Sequence, residues 1–365
     1  MKYTPLHNAH IKHNAKLVDF TGWDMPIHYT GILDEYQTVR QQAGLFDVSH
    51  MGRIMIEGED AIPFLQQVSA SKVAAIEVLA SQYAMLCNPQ GGIKDDVFIY
   101  RLAPKKFLLC VNASNHEKIL DWLQEQQAQL IHTVEVIDRS QDIAQLALQG
   151  PASIAILRNT LGTTIDHLPP RGCLECTISS ISLLLTRTGY TGELGYELYV
   201  PADRALDLWS ALIVTGKPYG LKPAGLGARD LLRLDMGYLL YGNDITEDTT
   251  PIEAGAAWLV DWQNNDFIGQ PVLTKQREEG TTRCLVAFEL LQKSVPRHGM
   301  PIFDEHKEIG QVTSGNLSPI LQKGIGLGYV LSAHAHIGAP LFIDIRGRRV
   351  PAIVVKPPFY KRRKS

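Results

Sequence analysis

From about residue 280 the chain stops alternating between helical and extended patterns. "RCLVAFELL", "EIGQVTSG", "IGLGYVL" and "APLFIDIRGRRVPAIVV" follow one another with little but turn residues between them. Such a run of short strands predicts a C-terminal β domain. Upstream, strands and amphipathic helices interleave, so the remainder reads as α+β. At 365 residues the chain is long for a single core, and two or three domains are expected.

Several upstream elements can be placed by pattern. "SQYAMLCN" and "DDVFIYRL" flank "PQGG" as a hairpin, with "KFLLCVNA" the next strand. "SNHEKILDWLQEQQ" predicts a helix opened by a capping box from Ser114 to Glu117, with Ile119, Trp122 and Leu123 on its apolar side. "ISLLLTRT" and "YELYV" are strands either side of "GYTGELG". In "PADRALDLWSALI", Leu206, Trp209 and Ile213 form one helical stripe, read as core. "GARDLLRLDMG" is a further helix, stopped by Gly237, and "GIGLG" reads as turn glycines leading into a strand.

Composition narrows the function classes. With 45% hydrophobic and 20% charged residues this is an ordinary folded chain, and a net charge of -3 offers no argument for nucleic acid. The basic end "KRRKS" reads as a solvated tail. Five cysteines, an odd number, suit a reducing compartment better than a disulfide framework. The N-terminus has no apolar segment of the secretory kind, and no apolar run approaches the roughly 20 residues of a membrane helix. The expectation is a cytoplasmic protein that contacts neither membrane nor nucleic acid.

Some residues stand out against their surroundings. "GGIKDDVFIY" carries Asp95 and Asp96 into the apolar start of a strand. Strand alternation puts Asp95 on the face of Val97 and Ile99, and Asp96 on that of Phe98 and Tyr100. Gly189, Gly192 and Gly195 lie between two strands, not before a helix, so a dinucleotide-type phosphate loop is not indicated. They read as positive-φ positions of a tight excursion that gathers Tyr190, Glu193 and Glu197. Glu197 lies in a strand suited to burial and must be paired or hydrogen-bonded there. Arg229 falls in the first turn of its helix, where the helix dipole disfavours cations, so an anionic partner is expected, either Glu197 or an acidic ligand. Arg233 reads as a surface or interdomain pair. Cys173 and Cys176 lack further metal ligands, and His7, His10 and His13 read as solvated. His334 and His336, on one side of a strand, lack a third ligand, so no metal site is expected.

The segments "LVDFTGWDMPIHY", "GLFDVSHMG", "GGIKDDV", "RTGYTGELGYEL", "PAGLGARDLLRLDMGYLLYG", "TPIEAG", "DFIGQ", "VTSGNLSP" and "KPPFY" occur in an order and spacing that is specific when taken together. On them, nearly the whole chain resembles the aminomethyltransferase family of the glycine cleavage system, the T-proteins. The resemblance implies a three-domain α+β cloverleaf around a central folate channel, ending in a β jelly-roll-like domain. It implies a first, folate-binding domain from residues 1–54 with about 140–245. A second, from 55–139 with about 246–278, carries the Asp96 strand, and 279–365 forms the last.

The family's chemistry would then follow. The one-carbon unit of an aminomethyl group on the lipoyl arm of H protein passes to tetrahydrofolate, a co-substrate, releasing ammonia and giving methylenetetrahydrofolate. No metal or nucleotide cofactor is implied. Asp96 matches the catalytic carboxylate. Met51, Tyr83, Tyr190, Glu197, Arg229 and Tyr238 match folate-contacting positions, as do Asn112 and Tyr360. A carboxylate such as Glu197 can accept two adjacent N–H donors of a pterin, aromatic rings such as Tyr83 and Tyr190 can sandwich a flat heterocycle, and an ionised Asp96 can stabilise an iminium-like carbon. Two departures from the family pattern are Asp235, where Glu is expected, and Leu317, where an aromatic is usual. They bear on local packing. Two alternatives stand behind this reading. A folate-dependent demethylase of a sulfur or amine compound would share the folate lobe. A non-enzymatic folate binder would carry a "KGCYxGQE"-like stretch, which this sequence lacks.

Overall fold

The computed structural model describes residues 1–129, 133–264 and 266–362, so Arg363 and Lys364 of the basic end lie outside the described residues. The chain divides into two compact units. The first comprises Met1–Leu65, Val73–Tyr83 and Val97–Asp230, and the second Gln66–Lys72, Ala84–Asp96 and Leu231–Ser365.

The first unit is built on one sheet and most of a second, whose hairpin end, Ala84–Asp96, belongs to the second unit. One runs, in spatial order, Cys173–Ile178, Ile181–Thr186, Gly195–Pro201, Ile143–Gln149, Gly44–Asp47 and Lys222–Pro223, antiparallel except for the last pair. Period two decides its faces. Leu146, Leu148, Tyr196 and Leu198 turn into a core shared with the helices Ser153–Leu161 and Ala205–Gly216. Gln145, Gln149, Glu197 and Tyr199, one residue out of phase, turn the other way. The second sheet orders Ala80–Cys87, Ile93–Ala103, Lys106–Val111, Gly52–Glu57 and Glu135–Asp138. Its Met55, Tyr100, Leu108 and Cys110 join Cys173 and Tyr199 of the first sheet in one apolar cluster. Sheet therefore packs on sheet here, and the first sheet has helices on its other face.

The expected hairpin is present, with Asn88 closing its turn. The Asn88 side-chain oxygen accepts the backbone N–H groups of Gln90 and Gly92 at 3.0 and 2.8 Å. Two helix readings need correction. Helix His116–Gln129 buries Ile119, Trp122 and Leu123 as expected, but it is entered through a 3-10 turn, Ala113–Asn115. Glu117 pairs with Lys2 at 2.6 Å and makes no capping box with Ser114. In helix Ala205–Gly216 the buried stripe is Ala205, Leu208, Trp209 and Leu212, while Leu206 is exposed. Positions 205, 208, 209 and 212 follow the i, i+3, i+4, i+7 rule, and the 206–209–213 reading sits one step off that axis.

In the second unit the predicted β domain is a closed six-stranded barrel. Its strands run Arg283–Leu290, Lys323–Leu331, Glu308–Ser318, Pro301–Phe303, Pro340–Ile345 and Arg348–Val355, and the first pairs with the last. Phe288, Leu290, Ile302, Val312, Leu341 and Ile343 fill it. The "GIGLG" glycines are not in a turn but inside the strand Lys323–Leu331. A Cβ on Gly326 would stand 2.5 Å from the Phe288 ring, and one on Gly328 2.7 Å from Ile302 Cδ1. Alternate glycines on this strand make room for bulky side chains arriving from its neighbours. Gly326→Val should therefore destabilise the protein by about 1–3 kcal/mol in urea unfolding, and an unchanged midpoint would show that the Phe288 ring has room to move.

Candidate active site

In the first unit Glu197 is buried in the middle of the strand Gly195–Pro201, on the face that meets the second sheet. Among the described residues its hydrogen-bond partners are all neutral donors. Thr188 Oγ1 donates to Oε2 at 2.5 Å, the Tyr100 hydroxyl to the same oxygen at 3.3 Å, and Gln145 Nε2 to Oε1 at 3.3 Å. The Tyr199 hydroxyl donates in turn to Tyr100 at 3.0 Å. Burial first, with the Glu197 charge contributing, holds both phenols well above the usual tyrosine range. Both therefore remain donors. Burial likewise pushes the Cys110 thiol up to about 12.

Around this carboxylate the rings accumulate. Tyr83 lies 5.7 Å from Phe98, Phe98 5.9 Å from Tyr100, and Tyr100 5.5 Å from Tyr199, centroid to centroid. Met51 packs against the same cluster. Along the strand Ile93–Ala103 the predicted alternation holds. Asp95 is fully buried with Ile93, Val97 and Ile99, whereas Asp96 is half-buried and in phase with Phe98. Asn112 stands half-buried at the end of the neighbouring strand, where its carbonyl accepts the N–H of Asn115.

Arg229 stacks on the Tyr190 ring, its guanidinium carbon 4.6 Å from the centroid. Among the described residues this ring, not Glu197 or another carboxylate, is its contact. The carboxylate that serves the Arg229 helix (Leu226–Asp235) is Glu35. One of its oxygens accepts the N–H groups of Tyr29, Thr30 and Gly31, and the other accepts Gly225 at 2.8 Å, at the helix N-terminus. Glu193, expected to gather with Tyr190 and Glu197, is engaged by a cation instead. Glu193 forms a buried pair with Arg40 at 2.9 Å, and the same Arg40 nitrogen donates to the Thr191 carbonyl. Of the three loop glycines only Gly192 has positive φ, +79°. A Cβ on Gly189 or Gly195 would fall 2.0 or 2.3 Å from Gln149 Oε1. Those two glycines admit the Gln149 amide, which donates to the Thr188 and Tyr196 carbonyls and accepts from Thr191.

Tyr238 and Tyr360, like Asp95 and Asp96, lie in the second unit. Tyr238 is partly exposed just past the end of the Arg229 helix, and its carbonyl accepts from Arg233. Tyr360 follows the buried Phe359, and its N–H is held by the Asp235 carbonyl at 3.0 Å. Asp235 is fully buried and accepts Ser318 Oγ at 2.8 Å, so this departure from the family pattern is tied to Tyr360 through the backbone. Arg233 is no surface charge. It is buried against Asp244 at 2.8 Å and donates to Ser314, while Thr313 donates to Asp244.

The chain matches the GCVT N-terminal domain over residues 6–264 and the glycine cleavage T-protein C-terminal barrel domain over 283–361. The chain belongs to the glycine cleavage T-protein, or aminomethyltransferase, family. It is 46% identical over 359 residues to an aminomethyltransferase of Halothermothrix orenii, covering 98% of this chain and all of that one. It is 43% identical to the aminomethyltransferase of Bacillus subtilis, covering 99% of this chain and 100% of its relative. Its fold matches the crystal structure of the glycine cleavage system aminomethyltransferase T of Bartonella henselae, with a TM-score of 0.92, 35% identity and 99% of each chain covered. A family member of this kind is a one-carbon transferase with mixed helix and sheet and a C-terminal barrel, as expected from the sequence.

Other sequence readings fare unevenly. Cys173 and Cys176 are inert strand residues whose thiols burial pushes to about 12 and about 11. His334 lies in a 3-10 turn, not a strand, 3.8 Å from Asp304. His10 is not solvated. It is fully buried, 2.9 Å from Asp47 and 2.9 Å from the Tyr29 hydroxyl, while His7 reaches Asp24. Among the described residues no three His, Cys, Asp or Glu side chains come together as a metal site.

Sequence reasoning missed Gln149, Glu35, Arg40 and His50. Period two could have flagged Gln149, which breaks the apolar "LALQ" run. His50, beside Met51, is buried with no protein partner at Nδ1 and lies edge-on to Phe20, their ring centroids 5.5 Å apart. Burial, reinforced by the Arg229 charge, lowers its pKa from 6.5 to about 3. A histidine kept neutral in the fold but protonated in the unfolded chain contributes fully above pH 6.5 and progressively less as pH falls towards 3. His50 should therefore cost about 2 kcal/mol of stability between pH 7 and pH 5. Urea unfolding at both pH values should show that loss in the parent and a smaller one in His50→Gln. Equal losses would place the titration elsewhere.

Proposed function

We propose that the protein transfers the one-carbon unit of an aminomethyl group, carried on the lipoyl arm of H protein, to tetrahydrofolate, releasing ammonia and forming methylenetetrahydrofolate. The observation that carries this reading is Glu197. It is a buried carboxylate satisfied by neutral donors alone, beside a run of aromatic rings, in a chain of this family. A carboxylate in such a place retains acceptor capacity for the N–H edge of a pterin, and Tyr83 offers a ring for a flat heterocycle. Tyr190 and Arg229, stacked together, offer a second ring and a cation. Met51, Asn112, Tyr238 and Tyr360 complete the proposed folate-contacting set.

Asp96 is the proposed catalytic carboxylate. Its support is the alternation of its strand, which buries Asp95 and leaves Asp96 half-buried in phase with Phe98. Loss of ammonia leaves an iminium-like carbon, and a folate nitrogen attacks it. An ionised Asp96 near that carbon stabilises the charge and orients the proton transfers. The three-domain division remains our reading of the chain. Membership of the two sheets and the barrel supports it, since most strands of residues 55–139 belong to one sheet and the barrel begins at Arg283. A cytoplasmic location is proposed on the five free cysteines. No helix among the described residues is long and apolar enough to cross a membrane.

The test is ammonia release from aminomethyl-loaded H protein, with and without tetrahydrofolate. Rapid release that depends on the folate is expected, and tight folate binding without ammonia release would send the search to methylated sulfur or amine donors. Asp96→Asn should lose most turnover yet keep folate binding, because the amide preserves shape and removes charge. Asp95→Asn should read out in stability, since Asp95 is fully buried. Equal losses of turnover in both variants would show that the assignment of faces is wrong.

A further inference from the structure

We propose that Thr188 is the positioning residue of Glu197, anchored from behind by Thr186, and that Tyr100 is the donor that gives way when a ligand arrives. This rests on Glu197 as a ligand-binding carboxylate. Each carboxylate oxygen has two acceptor positions. Oε2 already receives Thr188 at 2.5 Å and Tyr100 at 3.3 Å, and Oε1 receives Gln145 at 3.3 Å. One position is left, on Oε1. A ligand with two adjacent N–H donors needs one on each oxygen, so one protein donor on Oε2 must leave.

The hydroxyl chain decides which. Glu197 can only accept while ionised, so the Thr188 proton points to it. Thr186 Oγ1, 2.6 Å from Thr188 Oγ1, must then donate to Thr188. Thr186 and Thr188 are both buried, in the strand and loop that precede Glu197. Their relay has one direction, and it ends on the carboxylate, which Thr188 thereby orients. Tyr100 makes the longer contact and has another acceptor within reach, because Thr188 Oγ1 lies 3.4 Å from its hydroxyl and has a second lone pair. Its own oxygen stays occupied by the Tyr199 proton at 3.0 Å. Turning Tyr100 from Glu197 to Thr188 strands no buried polar group, whereas turning Thr188 away would leave both the carboxylate and Thr186 short of a partner.

The two roles predict changes of different sign. Thr188→Val, which keeps the shape and removes the hydroxyl, should weaken tetrahydrofolate binding about tenfold, seen as a raised KM for the folate with kcat retained. Thr188→Ser should restore it. Tyr100→Phe should bind the folate at least as tightly as the parent. Should Thr188→Val fail to fold, Thr186→Val removes only the anchoring donor and should give a smaller loss in the same direction. Equilibrium titration with tetrahydrofolate, alongside thermal melts of each variant, separates the outcomes. Parental affinity in a folded Thr188→Val, or a Tyr100→Phe as weak as Thr188→Val, would overturn the positioning roles alone. A parent chain that binds no folate would overturn the reading of Glu197 and this proposal with it.

Discussion

The Glu197 carboxylate is the constraint on which the first unit turns. A charge taken out of water between two sheets costs several kcal/mol unless donors replace its hydration. Here the donors come from both sheets and from the loop between strands. Tyr100 belongs to the sheet of the Asp96 strand, Gln145 to the strand beside Glu197, and Thr188 to the Gly-rich segment. No cation is among these partners. A cation would satisfy the burial more simply but would also fill the carboxylate. Neutral donors leave its charge uncompensated, which is what the proposed role of Glu197 towards N–H donors needs.

The loop before Glu197 is held with equal economy. Gln149 reaches from the next strand into the space left by two glycines and binds two loop groups, the Thr188 carbonyl and the Thr191 hydroxyl, while Arg40 and Glu193 pin its outer edge. Tyr190 lies between those two anchors and carries Arg229 on its ring. A binding residue on a loop is only as well placed as the backbone under it. Here that backbone is fixed by a side-chain amide and by a buried ion pair, not by a regular ladder.

Much of this was legible in the sequence, and the rest was hidden for identifiable reasons. Period two gave the faces of the Asp96 strand, and the all-β tail gave the barrel domain. Burial of Glu197 followed from "YELYV". What stayed out of reach were partners far along the chain. Arg40 meets Thr191 across 151 positions, and Glu35 meets Gly225 across 190. No local pattern marks such pairs. Glycine was misread for a different reason. Positive φ and close approach both demand it, and sequence alone does not tell them apart. Gly192 obeys the first demand, whereas Gly189, Gly195, Gly326 and Gly328 obey the second. His10 looked solvated because its partner, Asp47, is 37 residues away.

Arg229 draws these strands together. A cation in the first turn of a helix works against the helix dipole, and the simplest remedy would be an adjacent carboxylate. The structure instead places Glu35 at the helix N-terminus, bonded to the Gly225 N–H, and leaves Arg229 stacked on Tyr190. The negative charge thus stabilises the helix end without neutralising the guanidinium directly. His50, kept neutral partly by that same guanidinium, adds no competing charge. The unfavourable position of Arg229 is compensated from the backbone side, through Glu35 on the Gly225 N–H. A helix optimised for stability alone would carry an acid at that position. Placing arginine there and supplying the acid from Glu35 is the arrangement that the proposed binding role of Arg229 requires.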